Sequence, residues 1–180
     1  TTITFSFLFA LKYILSVSHL YPYKNIETLI HSFKEISLNH KSLNLVLAGS
    51  TQNQEYLDNL NKLVDDYNLQ DNVFFLGNLD RFQLRQFYSN CYALIFTSPF
   101  ENFAYTLVEA MSCGAPIIST NTTAMPETCS DAAIYFEPYS VDDLSQKVNL
   151  VLVKQNLREK LSNKSMKNKY QQKGILVYIK

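Results

Sequence analysis

Short apolar runs and longer segments with helical spacing alternate along this chain of 180 residues. The run Tyr13-Ile14-Leu15-Ser16-Val17 predicts a buried strand over 13–18. It is followed by residues 25–38, where Ile26, Leu29, Ile30, Phe33 and Ile36 fall on one helical face. Leu43-Asn44-Leu45-Val46-Leu47 ends in Ala48-Gly49, a strand entering a turn. Residues 54–67 place Tyr56, Leu57, Leu60, Leu63, Val64 and Tyr67 on a second helical stripe. Val73-Phe74-Phe75-Leu76 stops at Gly77, and a helix over 80–89 follows with Asp80 as its cap. Ala93-Leu94-Ile95-Phe96 is a strand closed by Ser98-Pro99, and residues 105–113 form a helix ended by Gly114, a residue type favoured just past a helix. Strands at 116–119 and 133–136 and helices at 141–153 and 156–169 complete the pattern.

Short strands separated by longer helices imply βαβ units and a parallel sheet. The strands read as continuous apolar runs, which fits a sheet covered on both faces. The expected fold class is α/β: a single Rossmann-like, doubly wound parallel sheet over residues 13–170, with 1–12 as a lead-in and 171–180 as a tail. Its ligand site is expected outside the carboxyl ends of the strands, where the strand order reverses.

Composition narrows the function. With 47% hydrophobic and 18% charged residues, the chain is that of a folded domain. Sixteen basic residues balance sixteen acidic ones, which removes the electrostatic case for a general nucleic-acid binder; an anionic ligand must be held by a local site. Cys91, Cys113 and Cys129 are too few and too irregular for a disulfide framework or a zinc cluster. Cys91 and Cys113 read as small core hydrophobes, and the pattern suits a reducing compartment such as the cytoplasm. The apolar stretch at the amino terminus is broken at Lys12, short of the roughly 20 residues a spanning helix needs. It lacks the basic start of a signal peptide, and without an initiator methionine the chain is expected to begin partway through a longer protein.

The segment from Ser98 to Met111 leaves a strand, turns through Pro99 and enters a helix near Ala104. Free backbone N–H groups and a positive dipole end are thereby placed at the strand's carboxyl edge, a setting that suits a phosphate or diphosphate. Glu101 stands in the turn and Glu109 about one turn inside the helix. On the helix alone the plainer reading is favoured, with Glu101 as a cap and Glu109 as a solvated residue. The flanking sequence changes that balance.

Glu101 and Glu109, with seven residues between them, are followed by Ala110-Met111-Ser112-Cys113-Gly114-Ala115-Pro116-Ile117-Ile118, then Ser119-Thr120 and Met125-Pro126-Glu127. Val17-Ser18-His19-Leu20-Tyr21-Pro22-Tyr23-Lys24-Asn25 precedes them, and Phe75-Leu76-Gly77 lies between. In this order the residues resemble the donor-binding domain of retaining glycosyltransferases of the GT-B architecture, family 4, over roughly 13–165. The resemblance implies that Lys24 pairs with the donor diphosphate, that Glu101 binds hydroxyls of the transferred sugar, and that Glu109 accepts from the ribose. Lys24 and Glu101 are then the candidate catalytic residues. Backbone contacts would come from Asn102, Phe103, Ala104, Tyr105 and Thr106, and Gly77, Asn78 and Leu79 would lie beside the nucleobase. These roles suit a compact lysine cation and acceptor-only carboxylates.

Departures from the pattern are His19, where such enzymes usually carry arginine, and Asn102-Phe103-Ala104, where they usually read Gly-Phe-Gly. His19 reads as a second cationic phosphate contact or equally as a neutral loop imidazole. Ala104 adds a methyl where backbone approaches ligand. The resemblance implies hexosyl transfer from a nucleoside-diphosphate sugar to a polysaccharide or glycolipid precursor. The acceptor would be held by an amino-terminal domain absent from this chain, which alone would bind donor with little transfer. It also implies a cytoplasmic protein, peripheral to the inner face of the membrane. The alternative is a non-catalytic remnant or interaction module, and a sugar-nucleotide epimerase ranks below both. No Gly-rich dinucleotide fingerprint or phosphate loop occurs, no cofactor is expected, and no Asp-x-Asp points to a metal. His31 and His40 lack metal-ligand spacing and read as surface helix residues.

Overall fold

The apolar runs become six strands: β1 (Lys12–Val17), β2 (Leu43–Ala48), β3 (Val73–Gly77), β4 (Ala93–Phe96), β5 (Ile117–Thr120) and β6 (Ala133–Phe136). The computed structural model describes Leu8 and residues 10–171, with side chains as far as Asn168. All neighbouring strands pair parallel, in the order β3-β2-β1-β4-β5-β6. Because side chains alternate across a strand, Ile14, Leu45, Ile95 and Ile118 enter one core, and Leu15, Val46, Leu94 and Ile117 enter the other. Both faces being dry, the strands carry no polar alternation. Helices α1 (Ile26–Asn39), α2 (Gln54–Asp66) and α6 (Val141–Val153) supply the first core. Helices α3 (Arg81–Asn90), α4 (Tyr105–Ser112) and the short α5 (Met125–Cys129) supply the second. A last helix, α7 (Gln155–Gln171), packs on α4 and on the 3-10 turn Ser130–Ala132.

Helices α2, α3 and α6 start on side-chain caps. Asn53 accepts from the Tyr56 amide at 3.0 Å, Ser140 from Asp143 at 3.2 Å, and Asp80 forms a reciprocal capping box with Gln83, both bonds at 2.8 Å. Losing such a cap costs about 1 kcal/mol. Asp80→Ala is therefore expected to lower the melting temperature by roughly 2–4 °C in calorimetry. An unchanged melting temperature would mean that the box contributes nothing to α3.

The structure moves several expected boundaries. β1 begins at Lys12, and Leu8 and Leu11 pack on the second core, so the lead-in over 1–12 is partly built into the fold. β5 takes 117–120 rather than 116–119, because Pro116 has no N–H for the ladder; only its carbonyl takes part, accepting from Leu94 at 2.8 Å. α7 runs to Gln171, and the tail segment Gly174–Lys180 lies outside the described residues. Helix α5 has no counterpart in the sequence reading; Pro126 sits in its first turn, where proline is tolerated. His31 and His40 are half-buried rather than simply solvated. His31 Nδ1 lies 2.7 Å from the Tyr67 hydroxyl and His40 Nε2 3.0 Å from Asn149 Oδ1, each tying α1 to a neighbour. Cys91 and Cys129 are core residues whose thiols burial pushes up to about 12, while Cys113 is half-buried; all three are free. Among the described residues no helix is long and apolar enough to cross a membrane.

Candidate functional site

The chain winds outward from β1 to β3, then returns to place β4 on the other side of β1. A crevice is required above the carboxyl ends at such a reversal. It is there: a cleft of about 330 Å³ lined by Ser18, His19, Tyr23 and Lys24 after β1, Gly49 after β2, Asn78 and Leu79 after β3, and Glu101 with residues 103–106 after β4.

Lys24 ends the 3-10 turn Pro22–Lys24, and Asn25, at φ 55°, turns the chain into α1. The Thr97 hydroxyl donates to the Lys24 carbonyl at 2.7 Å, fixing this turn to the end of β4. The turn that carries Glu101 is held by hydroxyls at the end of β5 and just after it. Thr120 donates to the Ser98 carbonyl and Thr122 to the Pro99 carbonyl, each at 2.7 Å, and the Glu101 amide donates to Thr123 Oγ1 at 3.1 Å. The two turns so placed bring the Lys24 ammonium onto the Glu101 carboxylate as an ion pair, with side chains only 14% and 18% exposed. The Tyr23 ring lies 4.9 Å from the Lys24 ammonium, and Tyr21 stacks on Tyr23 at 5.9 Å. A cation over an aromatic face is attracted by the ring quadrupole. His19 is exposed, its ring 6.3 Å from that of Tyr21.

Helix α4 starts differently from α2, α3 and α6. Its cap residue is Ala104, and no side chain satisfies its first amides. Backbone carbonyls alone serve them, Phe103 accepting from the Tyr105 amide at 3.3 Å and Ala104 from Leu107 at 3.0 Å, and the positive end of the helix faces the cleft. Ala104 is buried at φ −93°, and none of Asn102, Phe103 and Ala104 has a positive φ. The turn thus draws on no glycine-like conformation, and the Ala104 methyl is accommodated without backbone strain.

Glu109 sits one turn inside α4, half-buried, and accepts from the Tyr88 hydroxyl at 3.3 Å. Burial, reinforced by the nearby Glu109 charge, raises the Tyr88 pKa, so Tyr88 remains a neutral donor that orients the carboxylate. His19, Lys24, Asn78, Leu79, Glu101 and Phe103–Thr106 come together in the cleft wall; Gly77, Asn102 and Glu109 stand apart from that lining. Gly77 acts beneath it, its carbonyl accepting from the Gly49 amide at 2.7 Å, and Asn102 is exposed.

The sequence reading missed Gly49 as a site residue. Its φ is +134°, and a Cβ there would stand 1.9 Å from the Ser18 carbonyl oxygen. The Ala48-Gly49 pair at a strand end was the available signal. It also missed Ser18, Tyr23 and the threonines at the end of β5 and just after it. For these the signal was weak: hydroxyl residues crowd Thr120-Asn121-Thr122-Thr123, but nothing in their spacing says which backbone groups they reach.

Residues 10–168 match the family model described as glycosyl transferases group 1. The serotype-specific mannosyltransferase WbdA of Escherichia coli is 33% identical over 135 residues, 74% of this chain and 16% of that protein. The O-antigen chain mannosyltransferase RfbU of Salmonella typhimurium is 33% identical over 128 residues, 71% of this chain and 35% of that protein. The chain thus spans about a third or less of the curated relatives compared. Among solved structures, Anabaena Alr3699/HepE in complex with UDP and glucose superimposes with a TM-score of 0.82 at 19% identity, covering 96% of this chain and 50% of that one. That likeness concerns the fold, the sheet arrangement of the carboxyl-terminal domain in GT-B glycosyltransferases. With the family model covering nearly all of the described residues, the chain belongs to the glycosyl transferases group 1 family.

Proposed function

We propose that this chain is the donor-binding domain of a retaining family 4 hexosyltransferase that takes a nucleoside-diphosphate sugar and needs no bound metal. The observation that carries this reading is the Lys24–Glu101 pair at the switch-point cleft, facing the uncapped start of α4. In transfer, the bond from the anomeric carbon to the diphosphate oxygen breaks and negative charge grows on the leaving diphosphate. Lys24 and the amides at the start of α4 would stabilise that charge, joined by His19, which lines the same cleft. Glu101 would hold hydroxyls of the sugar, Glu109 the ribose, and the Gly77-Asn78-Leu79 segment the base. The names of the two mannosyltransferase relatives favour a hexose and a surface polysaccharide or glycolipid acceptor. A UDP-bound neighbour of the same fold favours a nucleoside diphosphate. The acceptor and the base that deprotonates it would be supplied by a further domain, working at the cytoplasmic face of a membrane. The intact ion pair and the unstrained 102–104 turn weigh against a decayed remnant.

Calorimetric titration with UDP, GDP and ADP tests the reading. One of them is expected to saturate a single site. Glu109→Ala is expected to weaken it roughly tenfold, the scale of a hydrogen bond to a charged group. A folded chain that binds none of the three would sink the proposal.

A further inference from the structure

The balanced total charge conceals a partition along the chain. From residue 147 onward the sequence carries nine of its 16 basic residues and one of its 16 acidic ones, Glu159. Most of this charge lies on or beside α7. Lys160, Lys164 and Lys167 recur at the i, i+4, i+7 spacing that stacks side chains along one helical stripe. The neighbouring side of α7 is fixed to the domain. Leu161 is buried, Ser165 donates to the Ala115 carbonyl at 2.9 Å, and Asn168 donates to the Thr128 and Cys129 carbonyls at 3.2 and 3.1 Å. The stripe therefore cannot rotate inward.

Its charge is only partly countered. Lys164 pairs with Asp131 at 2.5 Å, a carboxylate whose pKa that contact lowers, while Lys160 and Lys167 are exposed. Glu159 is engaged by Gln155 at 2.8 Å. Arg158 is not available as a recognition fork, since it donates to the Val151 and Leu152 carbonyls at 2.9 and 2.8 Å and covers the Tyr92 ring. A row of compact ammonium groups, with neither a free guanidinium nor an aromatic platform beside it among the described residues, suits phosphate headgroups spread over a surface better than bases that need stacking. Helix α7 also crosses the amino-terminal ends of β4 to β6, touching Tyr92, Ala115 and the Ser130–Ala132 turn, the edge opposite the cleft. A surface bound there leaves the cleft open to a soluble donor.

We infer that the Lys160–Lys164–Lys167 face of α7 docks the domain on an anionic lipid surface. The choice of lipid rests on the proposed glycolipid or polysaccharide acceptor, whereas the charge pattern stands without it. The test is cosedimentation of the chain with phosphatidylcholine vesicles and with vesicles in which a third of the lipid is phosphatidylglycerol. Binding is expected for the anionic vesicles alone and is expected to vanish at high salt. Each lysine near such a surface contributes about fivefold to partitioning. K160Q/K164Q/K167Q should therefore bind at least tenfold more weakly, with melting temperature and nucleotide titration unchanged. Failure to bind anionic vesicles, equal binding by the variant, or tighter binding to a single-stranded oligonucleotide would each overturn the inference. A separate titration reads nucleotide binding, so its failure removes the donor-site proposal and leaves the vesicle result standing.

Discussion

Gly49→Ala is expected to destabilise the domain by roughly 3–5 kcal/mol, a large share of the stability of an ordinary domain. Two effects add. At φ +134° any side chain is strained, which by itself costs on the order of 1–3 kcal/mol. The new methyl would also stand 1.9 Å from the backbone oxygen of Ser18. That oxygen has little room to retreat, because the strand ends are laced together. Ser18 N donates to the Ala48 carbonyl at 3.0 Å, Leu20 N to Ser50 at 3.0 Å, and Gly49 N to Gly77 at 2.7 Å. Gly77→Ala is the control: its φ is +64°, but nothing lies within 4 Å of its Cβ position, so only the left-handed penalty of about 1–2 kcal/mol applies. Urea unfolding of both variants separates the effects. Equal losses at the two positions would mean that backbone conformation, not the close approach of β1 and β2, governs this corner of the cleft.

Such corners are where sequence reading falls short, and the reason is physical. The strands were legible because both faces of the sheet are dry, so Leu43-Asn44-Leu45-Val46-Leu47 and its counterparts carry a mostly apolar signal, broken there only by Asn44. The position of the cleft followed from the order of strands and helices, since it depends on connectivity rather than on any one side chain. Glu101 and Glu109 were legible through the motif around them, though their environments were not. Tyr88, which orients Glu109, lies 21 residues away on α3, and Lys24 meets Glu101 across 77 residues. The hydroxyls that hold the Glu101 turn act on backbone groups, the Ser98 and Pro99 carbonyls and the Glu101 amide, so no residue pairing in the sequence marks them. The backbone path of the Asn102–Ala104 turn was equally illegible: it takes ordinary φ values where the resemblance suggested glycines.

The ion pair also makes the two candidate catalytic residues differ in sign. Lys24→Ala is expected to weaken nucleoside-diphosphate binding about 100-fold, within the range for a lost charged hydrogen bond. The change removes a cation and leaves the Glu101 carboxylate, now without its partner, beside an anionic ligand. Glu101→Gln acts in the opposite direction. In the empty site the Lys24 ammonium is already held by Glu101, so an arriving diphosphate must compete with an internal carboxylate. Neutralising that competitor is expected to tighten binding of the bare nucleoside diphosphate by roughly threefold to tenfold, the scale of a partly buried pair. The same variant should lose affinity for the intact nucleotide sugar, whose hydroxyls need the carboxylate as acceptor. The ratio of the two affinities, measured by calorimetry on one preparation, is thus the decisive quantity. A Glu101→Gln chain that binds the bare diphosphate as poorly as Lys24→Ala would show that the carboxylate supports Lys24 instead of competing for it. With the double variant included, the cycle gives the coupling between them. A favourable diphosphate term gained on losing Glu101, set against a sugar term lost with it, would make the pair a relay: the diphosphate takes Lys24, and the carboxylate it releases turns to the sugar.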